Sequence, residues 1–124
     1  MFAPIRLVSS VLFAAPVLVV VLAPPTVNAD TIYVCWDGSG DYETIQEGID
    51  VAQDGDEVVV CDGTYTGNGN RGLHVDGKAI TVRSANGPES CIIDCATLDC
   101  AFYFRSGEGA DTVVRGFTIT AGHT

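Results

Sequence analysis

Short apolar runs recur along this chain at a nearly constant spacing. Three runs begin at Val58, Ile80 and Phe102, two more begin at Cys91 and Val113, and the differences 80−58, 102−80 and 113−91 are each 22. Glycine, asparagine, aspartate and serine, which favour tight corners, fill the stretches between them. This pattern predicts an all-β fold, a right-handed parallel β-helix with about 22 residues per coil and roughly three to four coils.

The predicted strands share a β-branched or aromatic composition and are bounded by turn residues. They are Thr31–Cys35, Glu57–Cys61, Leu73–Val75, Ala79–Arg83, Cys91–Cys95, Ala101–Phe104, Thr112–Val114 and Phe117–Thr120. The glycine-rich connections DGTYTGNGN, SANGPES and RSGEGAD are predicted as loops.

One segment has a helical rather than a β period. Within residues 44–53, Ile45 and Ile49 fall on one helical face. Thr44 and Glu47 have the spacing of a capping box, in which hydroxyl and carboxylate each accept a backbone N–H. An open stack of coils exposes its core and its strand edges, so we expect this short helix to cover the first coil.

The first residues read as an export signal rather than as part of the fold. Arg6 precedes an apolar stretch, Leu7–Ala23, and Val27–Ala29 forms a small-residue cleavage pattern. The alternative, an uncleaved membrane anchor, is disfavoured by the prolines within and after the apolar stretch. We therefore expect a signal peptide at 1–29, the N-terminal part of a β-helix domain at 30–124, no integral membrane span after cleavage, and a secreted or cell-surface protein.

Charge narrows the range of partners. Residues 30–124 hold five basic and sixteen acidic side chains, a net charge of −11. This balance disfavours nucleic acid, anionic membranes and polyanionic polysaccharides. Asp54, Asp56 and Glu57 could offer oxygen ligands to calcium, but a helix-ending turn explains them better, and no cofactor or metal site is predicted.

Five cysteines follow the leader, at positions 35, 61, 91, 95 and 100. Export makes disulfides plausible, and the odd number leaves at least one thiol outside any intrachain pair. Cys35 and Cys61 each end a predicted strand, so parallel neighbours would bring them together. Cys91 and Cys95 share one strand face and cannot easily join each other. Cys95 with Cys100 is the second candidate pair, and small buried thiols are the alternative for this group.

Several aromatic side chains could contact a ligand. A sugar-stacking strip would form if several of them faced outward, because apolar sugar faces pack on rings; the set is Trp36, Tyr42, Tyr65, Tyr103 and Phe104. Phe102 and Phe104 share one strand face and Tyr103 points the other way. At least part of the set should therefore belong to the core.

Three segments resemble a known family: VCWDGSGDYETIQEGI at 34–49, VVVCDGTYTG at 58–67 and RGFTITAG at 115–122. They are similar to the pectin-lyase-like right-handed parallel β-helix proteins, and the first is closest to the start of pectin methylesterases. The resemblance implies a β-helix with a capping helix. The aspartates, arginine and glutamines that act in those enzymes lie on later coils, so no catalytic residue is assigned here.

Two hypotheses for function follow. The first is a non-catalytic secreted or cell-surface β-helix module involved in carbohydrate contact or adhesion. The alternative is the N-terminal piece of a polysaccharide-active enzyme, pectin methylesterase-like or pectate lyase-like, with its catalytic coils beyond Thr124. Since no terminating element follows Phe117–Thr120, the chain is expected to be either a fragment of a longer β-helix or a stub that self-associates through its uncapped C-terminal coil.

Overall fold

A computed structural model describes residues 29–98 and 101–120. Within these ranges it contains one helix, α1 (Ile45–Val51), and nine short strands. The strands are β1 (Thr31–Val34), β2 (Glu57–Val60), β3 (Gly63–Thr66), β4 (Leu73–His74), β5 (Thr81–Ser84), β6 (Cys91–Asp94), β7 (Phe102–Tyr103), β8 (Val113–Arg115) and β9 (Thr118–Thr120). The predicted signal peptide, apart from Ala29, lies outside the described residues, as does Cys100.

The strands form three parallel sheets that wind around one core. Their orders are β1-β2-β5-β8, β3-β6-β9 and β4-β7, so each full turn of the chain adds one strand to each sheet. Every strand pair is parallel and joins one turn to the next. The predicted parallel β-helix is confirmed, with about three turns.

The predicted constant repeat of 22 residues is wrong. Glu57 pairs with Thr81, 24 residues later, and Thr81 pairs with Val113, 32 residues later. Phe102, which the repeat placed after Ile80 in one stack, instead pairs with Leu73 in the two-stranded sheet. The strands stack in register because their side chains pack together, whereas the turns between them differ in length. Spacing between apolar runs therefore does not report which strands are neighbours.

Strand β3 was predicted as a loop because its sequence is rich in glycine and threonine. Gly63 pairs with Cys91, and Tyr65 pairs with Ile93, in the three-stranded sheet. The Tyr65 side chain is only 1% exposed, and its hydroxyl donates to the Cys61 carbonyl at 2.9 Å. The segment is thus a core strand, and the predicted pairing of the Cys91 run with the Val113 run is also wrong.

Inward-pointing side chains form columns along the helix axis. In one column Val58 lies beside Val82, and Val82 beside Val114; in another Tyr65 lies beside Ile93. All but Val114 are at most 1% exposed. Full burial of an aliphatic side chain contributes roughly 1.5–3 kcal/mol, so these columns are the main source of stability.

Helix α1 covers the first coil as predicted. Thr44 is its N-cap, and the capping box is complete: Thr44 Oγ1 accepts from the Glu47 N–H, and the Glu47 carboxylate accepts from the Thr44 N–H. Ile45 and Ile49 are fully buried. The helix ends earlier than predicted because the backbone at Ala52 is already extended.

Two amide side chains attach α1 to the next coil. Gln46 donates through Nε2 to the His74 carbonyl and accepts through Oε1 from the His74 N–H, both at 3.0 Å. This amide thereby takes the place of a neighbouring strand beside β4. Asn70, 9% exposed, accepts the Ile45 N–H at 3.0 Å, which satisfies a helix-end donor.

The loop at residues 37–42 covers the free edge of β1. The Tyr33 N–H donates to Asp41 Oδ2 at 2.9 Å, and the Asp41 N–H donates to the Tyr33 carbonyl at 2.7 Å. The Cys35 N–H donates to the Tyr42 carbonyl at 2.9 Å. Helix and loop together close the N-terminal end of the β-helix.

Candidate functional site

A disulfide joins the first two coils near the candidate site. Val34 pairs with Val60, so the residues that follow them, Cys35 and Cys61, are adjacent, with Cα atoms 4.9 Å apart. The predicted Cys35–Cys61 bond is confirmed. Cys95 is fully buried, as is Cys91, and the proposed Cys95–Cys100 pair cannot be assessed because Cys100 lies outside the described residues.

Trp36 is the most prominent side chain of the turn that follows β1. Its side chain is 59% exposed, and its indole Nε1–H donates to the Asp62 carbonyl at 3.2 Å. The ring lies against Gly63, where a Cβ atom would come within 2.5 Å of the indole nitrogen. Glycine at this position therefore allows the indole to rest on the backbone of the second coil while most of the side chain stays open to solvent.

Asp62 and Asn86 occupy the equivalent turns of the next two coils. Val34, Val60 and Ser84 are paired in register, and the side chains two residues beyond them are Trp36, Asp62 and Asn86. We call these last three residues the turn ladder. Asn86 Nδ2 donates to Asp62 Oδ1 at 2.9 Å, and both side chains are exposed.

The ladder is rich in hydrogen-bond acceptors. In the described part of the chain, the second carboxylate oxygen of Asp62 and the amide oxygen of Asn86 accept no hydrogen bond, so both remain available to a ligand. Asp37, next to Trp36, accepts from the Ser39 hydroxyl at 2.7 Å and from the Ser39 N–H at 3.0 Å. These bonds, the hydroxyl first, lower the pKa of Asp37 below its usual 3.8 and keep it anionic. The turn ladder thus combines an exposed aromatic ring with carboxylate and amide oxygens.

A second aromatic surface lies on the sheet formed by β4 and β7. The rings of His74 and Tyr103 stack with centroids 5.0 Å apart, and Arg105 Cζ lies 4.3 Å from the Tyr103 ring centre. These side chains already contact one another. Less ring surface is therefore free for a ligand here than at Trp36.

The predicted strip of five aromatic side chains does not form. Tyr65 is a core residue, and Tyr42 packs partly buried against the core. Phe104 is 54% exposed, but its ring stacks with Phe102 on β7 rather than lying beside Trp36. Of the five, only Trp36 belongs to the turn ladder.

The acidic group considered for calcium is dispersed among separate partners. Its carboxylates are engaged individually: Asp54 by the Ala79 N–H, Asp56 by the N–H groups of Asp30 and Gln53, and Glu57 by Arg83. The hydrogen bonds from Asp30 and Gln53 lower the pKa of Asp56 below 3.8. Across residues 29–98 and 101–120, no group of three or more histidine, cysteine or acidic side chains is arranged to hold a metal ion.

An open groove of about 530 Å³ lies beside β1, near the end of α1. Asp41 and Asp56 line it, but their carboxylates already accept backbone N–H groups from Tyr33, Asp30 and Gln53. These acidic residues therefore have a structural role that explains their position.

The molecule is a parallel β-helix whose N-terminal end is closed by a helix and a disulfide. No protein-family model, curated protein or solved structure matches the chain. The resemblance to pectin methylesterases thus stays a prediction of the sequence. None of the helices in the described ranges has the length and apolar character needed to cross a membrane. An intrachain disulfide fits an extracellular protein.

Proposed function

We propose that this chain is a secreted or cell-surface β-helix module, non-catalytic by itself, that binds carbohydrate through the turn ladder. The observation that carries the proposal is the exposed indole of Trp36, held against Gly63 beside the hydrogen-bonded pair Asp62 and Asn86. The predicted leader and the Cys35–Cys61 disulfide support an oxidising, extracytoplasmic location. Membership of the pectin-lyase-like proteins is part of the same proposal.

The chemistry of the ladder suits a sugar. An aromatic ring packs against the C–H face of a pyranose, as it does against other apolar surfaces. Hydroxyl groups around the sugar ring donate hydrogen bonds, and ionised carboxylates form the stronger ones. Successive coils are about 4.8 Å apart, so the three ladder residues follow the helix axis and could contact successive parts of an extended chain.

The ligand we propose is an uncharged polysaccharide. Asp37 and Asp62 flank Trp36, and residues 30–124 carry a net charge of −11. A polyuronide would bring further carboxylates next to these, and repulsion between like charges would oppose binding. A neutral chain meets no such penalty and can donate its hydroxyls to Asp62.

Affinity gel electrophoresis tests this proposal directly. The full chain is expressed with its leader in an exporting host, and the recovered protein is run through gels containing hydroxyethyl cellulose, galactan or arabinoxylan. We expect at least one of these neutral polymers to retard the wild type and Leu98→Ala, and not Trp36→Ala. Leu98 is a suitable control because it is 66% exposed and lies outside the ladder.

Two results would contradict the proposal. One is equal mobility of all three proteins in every neutral polymer. The other is retardation that Trp36→Ala retains in full, since binding would then occur elsewhere on the surface. A gel containing carboxymethyl cellulose tests the charge preference, and we expect weaker retardation there than with hydroxyethyl cellulose.

The competing hypothesis, a polysaccharide-active enzyme, has its own assay. A pectin methylesterase-like activity would release methanol from a methyl-esterified polyuronide. We expect no release by the recovered chain even at high protein concentration. Release that scales with protein concentration would replace the non-catalytic proposal with the enzymatic one.

A further inference from the structure

The C-terminal end of the β-helix is open in the described part of the chain. Strands β7, β8 and β9 each pair with one neighbour only, on the side facing the preceding coil. Their outer edges present backbone N–H and C=O groups that can pair with another chain. This end differs from the N-terminal end, where α1 and the loop at residues 37–42 cover the first coil.

Core columns end uncovered at the same place. Tyr65, Ile93 and Ile119 occupy successive positions of one inward column, with exposures of 1%, 0% and 53%. Ile119 is therefore a core side chain without a layer above it. Beside it, the Phe102 ring lies 6.3 Å from Phe104 and 6.0 Å from Phe117, centre to centre.

Charge distinguishes this end from the rest of the molecule. Residues 30–100 contain three basic and fourteen acidic side chains, a net charge of −11, whereas residues 101–124 contain two of each and are neutral. The four charged residues of the last coil are Arg105, Glu108, Asp111 and Arg115. Two copies would repel each other through most surfaces, but this neutral end carries both signs and can be complementary to itself.

We propose that two copies of the chain associate tail to tail through this end. Because the N-terminal end is closed, a second copy cannot continue the stack head to tail. The remaining arrangement places the same surface of both copies in contact about a two-fold axis, which gives a closed dimer rather than a filament. The contact covers Ile119 and the phenylalanine cluster and pairs strand edges of the two copies. We call this surface, formed by β7, β8, β9 and their uncovered core residues, the tail surface.

Sedimentation velocity of the exported full-chain product tests the inference, with Ile119→Lys as the variant and Val51→Lys as its matched control. Both positions are exposed β-branched residues, at 53% and 44%, but Val51 lies on α1 at the opposite end. We expect dimers for the wild type and for Val51→Lys. Ile119→Lys should raise the dimer dissociation constant on the order of 100-fold, because each dimer carries the change twice.

Circular dichroism checks that Ile119→Lys is folded, and Phe104→Glu provides a second tail-surface variant if it is not. Three results overturn the inference. The wild type could remain monomeric up to about 100 µM, above the dissociation constants of ordinary specific complexes. Species could grow beyond the dimer with concentration. Both tail-surface variants could also dimerise as the wild type does.

Discussion

Replacing Ile49 by alanine should uncap the first coil of the β-helix. Ile49 is fully buried on α1, within the hydrophobic core that the helix covers. Large-to-small changes of this kind cost about 2–5 kcal/mol, because transfer energy is lost and a cavity remains. We expect a loss of about 3 kcal/mol in the free energy of unfolding. For a domain of this size, that corresponds to a melting temperature roughly 12–24 °C lower.

Thermal unfolding followed by circular dichroism measures this change, with Val51→Ala as the control. Val51 lies on the same helix but is 44% exposed, so its truncation should alter stability by no more than about 0.5 kcal/mol. Ile49→Asp should have a larger effect and promote aggregation, because it places a charge in an apolar contact.

The capping argument fails if Ile49→Ala and Val51→Ala have the same melting temperature. It also fails if Ile49→Asp stays soluble with an unchanged melting temperature. In either case the helix would be an appendage of the first coil and would contribute nothing to closing its core.

Three further changes test other parts of the structure. Replacing Cys35 and Cys61 together by serine opens a loop with a sequence separation of 26, which should cost about 3.5 kcal/mol in urea unfolding. Asn70→Ala leaves the buried Ile45 N–H without its acceptor and should cost about 1–3 kcal/mol by the same measurement. Asp56 has a lowered pKa, so its stabilisation is present above pH 3.8 and is lost as the pH falls below that value. Asp56→Asn should therefore be less stable than the wild type near neutral pH, and the difference should shrink in melting curves recorded below pH 3.8.

Each of these predictions has a clear contrary result. Unchanged urea midpoints for the double serine variant would mean that the disulfide does not constrain the unfolded chain. A neutral effect of Asn70→Ala would mean that water replaces its hydrogen bonds. A constant difference between Asp56→Asn and the wild type from neutral pH to below pH 3.8 would show that ionisation of Asp56 is not linked to folding.

Local spacing in the sequence predicted the closed N-terminal end well. The capping box of Thr44 and Glu47 depends on residues three apart, and the Cys35–Cys61 bond follows once two strands are taken as parallel neighbours. Both features are determined by short stretches of chain. The parallel β-helix itself could be predicted because only stacked strands bury so many short apolar runs.

The sequence was less informative wherever packing overrides composition. Strand β3 is polar and contains glycine, yet its Tyr65 fills the core. The turn ladder was also missed, since Asp62 and Asn86 lie far from Trp36 in sequence. A signal was nevertheless present: each ladder residue lies two positions after a strand residue in the column Val34–Val60–Ser84. That offset becomes visible only when the register is known.

The most direct test of the central claim is a titration of the intrinsic fluorescence of Trp36 with a neutral polysaccharide that retards the protein in gels. Trp36 is the sole tryptophan of the chain, so its emission reports on the turn ladder alone. We predict a saturable change in emission that weakens in Asp62→Ala, which removes the neighbouring carboxylate. Emission that stays constant through saturating polymer, while the gel still shows binding, would place the carbohydrate contact away from Trp36 and contradict this account.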